Sequence, residues 1–151
     1  MNILAMDTAA SILSVGLATD KSTWYFEADA GNRHSEILLS SVDILLQNAK
    51  ISPKSVDIVA CMKGPGSFTG LRIAFAMAKG LSLGADCKIA LVPTMDCMAY
   101  SYADWRGIVI PVLDAKKRAF FCAVFKNGKR VASDMDAEPC QIAEAVREID
   151  A

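Results

Sequence analysis

An apolar run over residues 56–62 leads into Lys63-Gly64-Pro65-Gly66-Ser67-Phe68-Thr69-Gly70, and a proline-free apolar segment continues to residue 84. That order dictates a buried strand, a tight glycine-proline loop and a helix. Gly64 and Gly66 open backbone angles closed to other residues and let a second backbone or a ligand come close. Ser67 or Thr69 can cap the helix, since a hydroxyl accepts from its first free amides. A helix start behind glycines is also an anion-binding geometry.

The helix is apolar nearly all round, so it must be buried in its own domain or against a partner. From residue 71 to 84 only Arg72, Lys79 and Ser82 are polar. Gly70, Ala74 and Ala78 recur every four residues, and so do Ala76, Gly80 and Gly84, making two ridges of small side chains. Glycine inside a helix costs about 1 kcal/mol relative to alanine, so Gly80 calls for a packing reason. Two readings stand: a helix that covers a sheet, or one whose second face docks on another protein.

Bulk properties narrow the function. The 151 residues suit one domain, or one domain and part of another. A hydrophobic content of 53% supplies a core with apolar surface left for an interface. A net charge of −1 gives no electrostatic footprint for autonomous nucleic-acid binding. Cys61, Cys87, Cys97, Cys122 and Cys140 form no CxxC pair and read as free thiols in a reducing cytoplasm. No secretion signal or spanning segment is expected.

Taken in order, strands are expected over residues 2–7, 12–19 and 23–30 as an antiparallel meander. A helix follows over 34–49, capped by Asn32 or Ser35. Then come the strand over 56–62, the long helix, a short strand over 87–91 and a helix over 94–103. The pattern restarts at Trp105-Arg106-Gly107. Strands are expected over 108–113 and 118–125, with a type I′ hairpin signal at Asn127-Gly128. A short strand over 130–133 and a helix over 138–149 end the chain. An apolar strand ending in aspartate, then a small turn, occurs twice, at Asp7 and at Asp114. This repeat suggests two like-folded domains, residues 1–104 and a shortened 105–151. Aspartate after a strand is also common in ordinary turns.

Four stretches carry a family resemblance: Ile3-Leu4-Ala5-Met6-Asp7-Thr8-Ala9, Arg33-His34-Ser35-Glu36-Ile37-Leu38-Leu39, Lys63-Gly64-Pro65-Gly66-Ser67-Phe68-Thr69-Gly70-Leu71-Arg72-Ile73, and Val112-Leu113-Asp114-Ala115-Lys116-Lys117. In that order and spacing the chain resembles the TsaB (YeaZ) family of tRNA threonylcarbamoyladenosine biosynthesis, within the TsaD-like superfamily. The family usually has arginines near Lys116-Lys117, a mild departure. The resemblance implies an α/β actin-like ATPase fold (ASKHA, ribonuclease H-like) with a mixed sheet. It implies a non-catalytic scaffold that dimerises with TsaD, the threonylcarbamoyltransferase, and forms a homodimer when alone. A TsaE-type ATPase joins the complex, tRNA is met only through it, and no membrane is involved.

The residues expected to face a partner are His34, Leu38, Val42, Leu45, Gly70, Ala74, Met77, Ala78 and Gly80. A lone histidine, with Leu38 four residues on, offers neither a metal site nor a catalytic triad. In active relatives of the fold, aspartate turns grip phosphates and metal. Asp7, Thr8, Ser11 and Asp114 are therefore candidates for a nucleotide or third-subunit contact, with Gly64, Gly66, Ser67 and Thr69 of the loop. Ala9 and Ala10 stand where a phosphate loop favours glycine. No cofactor is expected beyond ATP and magnesium at a vestigial cleft. The competing reading is a stand-alone actin-fold ATPase or kinase.

Overall fold

The computed structural model describes residues 1–116 and 118–150. The chain divides into two compact units, one of Met1–Lys63 with Ser67–Val92, the other of Gly64–Gly66 with the chain from Pro93 onward.

The first unit is built on strands β1 (Ile3–Asp7), β2 (Ile12–Ala18), β3 (Thr23–Asp29), β4 (Ile58–Gly64) and β5 (Lys88–Pro93), in the sheet order β3-β2-β1-β4-β5. β1 pairs antiparallel with β2 and parallel with β4. β2 pairs antiparallel with β3, so the expected meander is present. Alternation sends Leu4, Met6, Leu13, Val15 and Leu17 to one face, where they are fully buried. Helices α1 (His34–Ala49) and α2 (Phe68–Ala85) lie next to each other, and both pack their buried residues into that same core.

Helix α1 begins and ends where its periodicity places it. Its cap differs from expectation: Arg33 holds the N-cap position, and no side chain of Asn32 or Ser35 bonds there. β4 starts two residues later than the apolar run, because the Val56 amide closes the 3-10 turn Pro53–Ser55. The amides of Asp57 and Ile58 then turn to the Asn2 carbonyl.

In the second unit, helix α3 (Thr94–Tyr100) precedes the expected boundary at residue 104, yet its Met95 and Ala99 pack with Ala123 and Phe125. The strands expected over 108–113 and 118–125 are each split. Pro111 has no amide to donate to a ladder, so β6 (Ile108–Val109) and β7 (Val112–Lys116) join different sheets. Likewise β8 (Ala119–Cys122) pairs with β7, while β9 (Phe125–Lys126) pairs with β6. Asn127 and Gly128 both take positive φ, 53° and 73°, as a type I′ turn requires, and lead into β10 (Lys129–Arg130). β11 (Met135–Ala137) adds to β8, and α4 (Pro139–Asp150) follows.

The architecture is a mixed α/β fold. Among the described residues no disulfide joins the five cysteines; burial pushes the Cys61, Cys87 and Cys122 thiols up and makes them poor nucleophiles. Among the described residues no helix is long and apolar enough to cross a membrane.

Candidate functional site

Most residues singled out from sequence fall in two places: the turn after β1 with the start of α2, and the bodies of α1 and α2. At the turn, Asp7 Oδ1 accepts the Ala9 amide at 2.8 Å. Thr8 is fully buried, and its Oγ1 donates to the Gly70 carbonyl at 2.7 Å. Ser67 caps α2, its Oγ accepting the Gly70 amide at 3.2 Å, while its own amide donates to the Ala9 carbonyl at 2.7 Å. A Cβ on Gly70 would lie 1.9 Å from the Thr8 carbonyl oxygen. The α2 start is therefore pressed onto the β1–β2 turn, and glycine at 70 is what permits the approach.

This contact determines what the turn can do. Thr8 has no free hydroxyl to offer a phosphate, and the Ser67 and Gly70 amides are already bonded. Ser11 accepts the Ala30 and Gly31 amides through its carbonyl. Thr69 is exposed beside Ser67. Gly64, at φ 106°, occupies a conformation that favours glycine, whereas Gly66 does not take a positive φ. Asp114 in the second unit accepts the Lys116 amide at 2.7 Å, repeating the Asp7–Ala9 turn two residues on. The repeat read from sequence is thus the same local hydrogen bond made twice.

Burial pushes the Asp7 carboxyl above the usual carboxylate range, opposed by the Ala9 amide and by the His34 imidazole. His34 is 6% exposed at the start of α1, and its Nε2 has no hydrogen-bond partner among the described residues. No group of three His, Cys, Asp or Glu side chains placed to hold a metal occurs among the described residues.

The helices reverse part of the expected partner surface. Leu38, Val42, Leu45, Ala74 and Ala78 are core residues of the first unit, Gly70 and His34 are buried, and Met77 packs partly against the same core. Of the nine, only Gly80 is exposed. Periodicity identifies the strongest apolar stripe, and the strongest stripe goes to the sheet first.

The outward faces are different residues. On α2 they are Phe68, Arg72, Phe75, Ala76, Lys79, Gly80, Leu83 and Gly84, a continuous stripe at helical spacing. Leu83 is 80% and Phe68 68% exposed. The Arg72 guanidinium sits 3.9 Å above the Phe68 ring and holds it on the surface. Nothing lies within 4 Å of a Cβ placed on Gly80 or Gly84. On α1, Leu39 and Ile44 are exposed beside Glu36 and Asp43. The outer face of α1 thus carries only acidic charge and that of α2 only basic charge. Leu39 and Ile44, which widen the apolar face of α1 beyond a core stripe, were the sequence signal for this surface.

Comparison with known proteins adds the family. Residues 28–148 match the family described as TsaD: tRNA N6-adenosine threonylcarbamoyltransferase. The tRNA threonylcarbamoyladenosine biosynthesis protein TsaB of Buchnera aphidicola subsp. Baizongia pistaciae is 39% identical over 54% of this chain and 37% of its own length. The protein of that name from Bacillus subtilis is 27% identical over 99% of this chain and 68% of its own. The structure of YeaZ from Pseudomonas aeruginosa superposes with a TM-score of 0.76 at 26% identity, over 90% of this chain and 66% of that one. The chain therefore spans between about a third and two thirds of the length of these relatives.

Proposed function

This chain belongs to the TsaD-like family, in its TsaB (YeaZ) branch, and on that premise we propose that it is a cytoplasmic, non-catalytic subunit for tRNA threonylcarbamoyladenosine synthesis, docking on a TsaD-type transferase through the outer faces of α1 and α2. The observation that carries this reading is the exposed stripe of α2. Phe68, Phe75 and Leu83 are large apolar groups on a helix whose opposite side already fills the core. Ala76, Gly80 and Gly84 form a groove between them. A partner helix can approach closely along that groove. Burying an exposed leucine or phenylalanine contributes about 1.5–3 kcal/mol, so three such anchors are enough for a stable pair.

The charges support the same geometry. A two-fold pairing sets α1 of one chain against α2 of the other, and Glu36 and Asp43 then meet Arg72 and Lys79. The same surface is self-complementary, which accounts for a homodimer when the transferase is absent. A TsaE-type ATPase and tRNA join through the resulting pair. No nucleotide at the Asp7 turn is needed in this role.

The test is light scattering after gel filtration of the chain mixed with a TsaD-type partner. Leu83→Glu and Gly80→Leu are expected to abolish the 1:1 pair and to leave the circular dichroism spectrum unchanged. Undiminished pairing of both variants removes these faces from the interface.

A further inference from the structure

In the second unit, large exposed side chains crowd one short segment. Met98, Tyr100, Tyr102 and Trp105 are all exposed, Tyr100 to 80% and Trp105 to 60%. Two of the three tyrosines and one of the two tryptophans of the chain therefore sit within six residues of each other. Exposed aromatic clusters of this kind mark contact sites.

The segment is fixed in place. The amides of Tyr102, Ala103 and Trp105 donate in succession to the carbonyls of Ala99, Tyr100 and Tyr102 at 2.9–3.1 Å. The Asn127 amide donates to the Gly107 carbonyl at 2.9 Å. The hairpin tip rests on the turn so closely that a Cβ on Gly128 would lie 2.2 Å from the Ala103 carbonyl oxygen. Trp105 Nε1 lies 3.0 Å from where a Cβ of Gly107 would stand, so one edge of the indole is seated on the Gly107 backbone. An open depression of about 550 Å³ lies here, lined by Ala103, Asp104, Trp105, Arg106 and Asn127.

We propose that this depression takes an unpaired nucleobase of single-stranded RNA, stacked on Trp105. An aromatic plane and a set of edge-reading polar groups are the two things that an unstacked base needs. Trp105 is the plane. Asp104 can accept from an exocyclic amine, and Asn127 can both donate and accept. Arg106, with exposed Lys129 on the same hairpin, supplies positive charge to the phosphates on either side. An apolar peptide side chain fits the lining poorly, since it would leave the carboxylate, guanidinium and amide facing it without partners. The net charge of −1 makes the contact local and weak at physiological salt. It orients a strand that a partner brings to the chain and adds little to its capture. The proposal goes beyond the subunit reading and uses none of the α1 and α2 residues on which that reading depends.

The probe is a fluorescein-labelled eight-nucleotide single-stranded RNA, titrated with the chain at low salt and read by anisotropy. Saturable binding is expected. Stacking of one base on an aromatic ring corresponds to a loss of about 5- to 100-fold for Trp105→Ala, and Trp105→Phe is expected to keep most of the affinity. Arg106→Ala is expected to weaken binding a few-fold and flatten its salt dependence. Tyr25→Ala, in the first unit, is expected to change nothing. Absence of binding at millimolar chain, equal binding by Trp105→Ala, or equal competition by a duplex of the same sequence would each overturn the proposal. So would a Trp105→Ala chain that keeps its RNA affinity but loses the TsaD-type partner in light scattering, because the patch would then be a protein contact. Loss of pairing in the Leu83 and Gly80 variants, with RNA binding intact, separates failure of one proposal from failure of the other.

Discussion

Helix α2 carries two ridges of small residues with nearly the same composition and opposite surroundings. Gly70, Ala74 and Ala78 are buried against the first unit's own core. Ala76, Gly80 and Gly84 are exposed. The inner ridge is small because backbone is already there: the Thr8 carbonyl stands where a Gly70 side chain would go. The outer ridge has open space before it and no such reason. Glycine in an exposed helix interior lowers stability, and the proposed docking contact would give it a reason there. Small side chains alone do not separate a packed ridge from an open one; the environment of each ridge does.

The largest effect should come from the inner ridge. Gly70→Ala and Ala74→Leu each force backbone or core to move, and a loss of about 3 kcal/mol or more is expected in chemical denaturation. Ala74→Leu is therefore a folding variant and a poor probe of association. Next, Leu83→Glu should weaken pairing by at least tenfold in light scattering, since it places a charge in an apolar contact. Gly80→Ala inverts the sign. With nothing near the added methyl, it should stabilise the isolated chain by about 0.5–1 kcal/mol in thermal unfolding. A destabilised Gly80→Ala would break the contrast between the ridges.

Much of this architecture is legible in the residues. Periodicity defines α1 from His34 to Ala49, and of the two expected α2 caps, Ser67 and Thr69, the first is the one used. Asn127-Gly128 announces its turn, and the two aspartate turns recur as read. The direction of each face is not legible. A helix apolar all round has no polar side to mark its outside, and only packing against β2 and β3 decides that Leu38 points inward and Leu39 outward. β11 escaped because the three residues Met135-Asp136-Ala137 are too short a run for their alternation to stand out, and its place is set by backbone pairing with β8. The exposed setting of Trp105 was hidden for another reason. In sequence it marks only a restart of the pattern, and its exposure depends on how the hairpin tip seats the turn.

Two smaller effects sharpen the comparison. Lys79→Glu on the outer face should reduce pairing a few-fold, and the difference should shrink at high salt, as for an exposed charge pair. Asp7, behind the inner ridge, has its folded pKa raised by burial. The folded state then holds the proton to higher pH than the unfolded chain does, so stability from this group is present at low pH and lost as pH rises through the folded value. Asp7→Asn keeps an acceptor for the Ala9 amide without the charge. It should raise Tm slightly at pH 7, by about 2–4 °C per kcal/mol for a chain of this size. The gain should vanish as pH falls below about 4, where the aspartate is neutral as well.

The most direct test of the central claim is the mass in solution of the chain mixed with a TsaD-type partner, measured by light scattering for the natural sequence and for Gly80→Leu. The account predicts a 1:1 complex for the first and separate chains for the second, with Gly80→Leu unfolding at no lower temperature than the natural chain. A full complex with Gly80→Leu would mean that the outer ridge of α2 faces only water, and the docking surface would have to lie elsewhere.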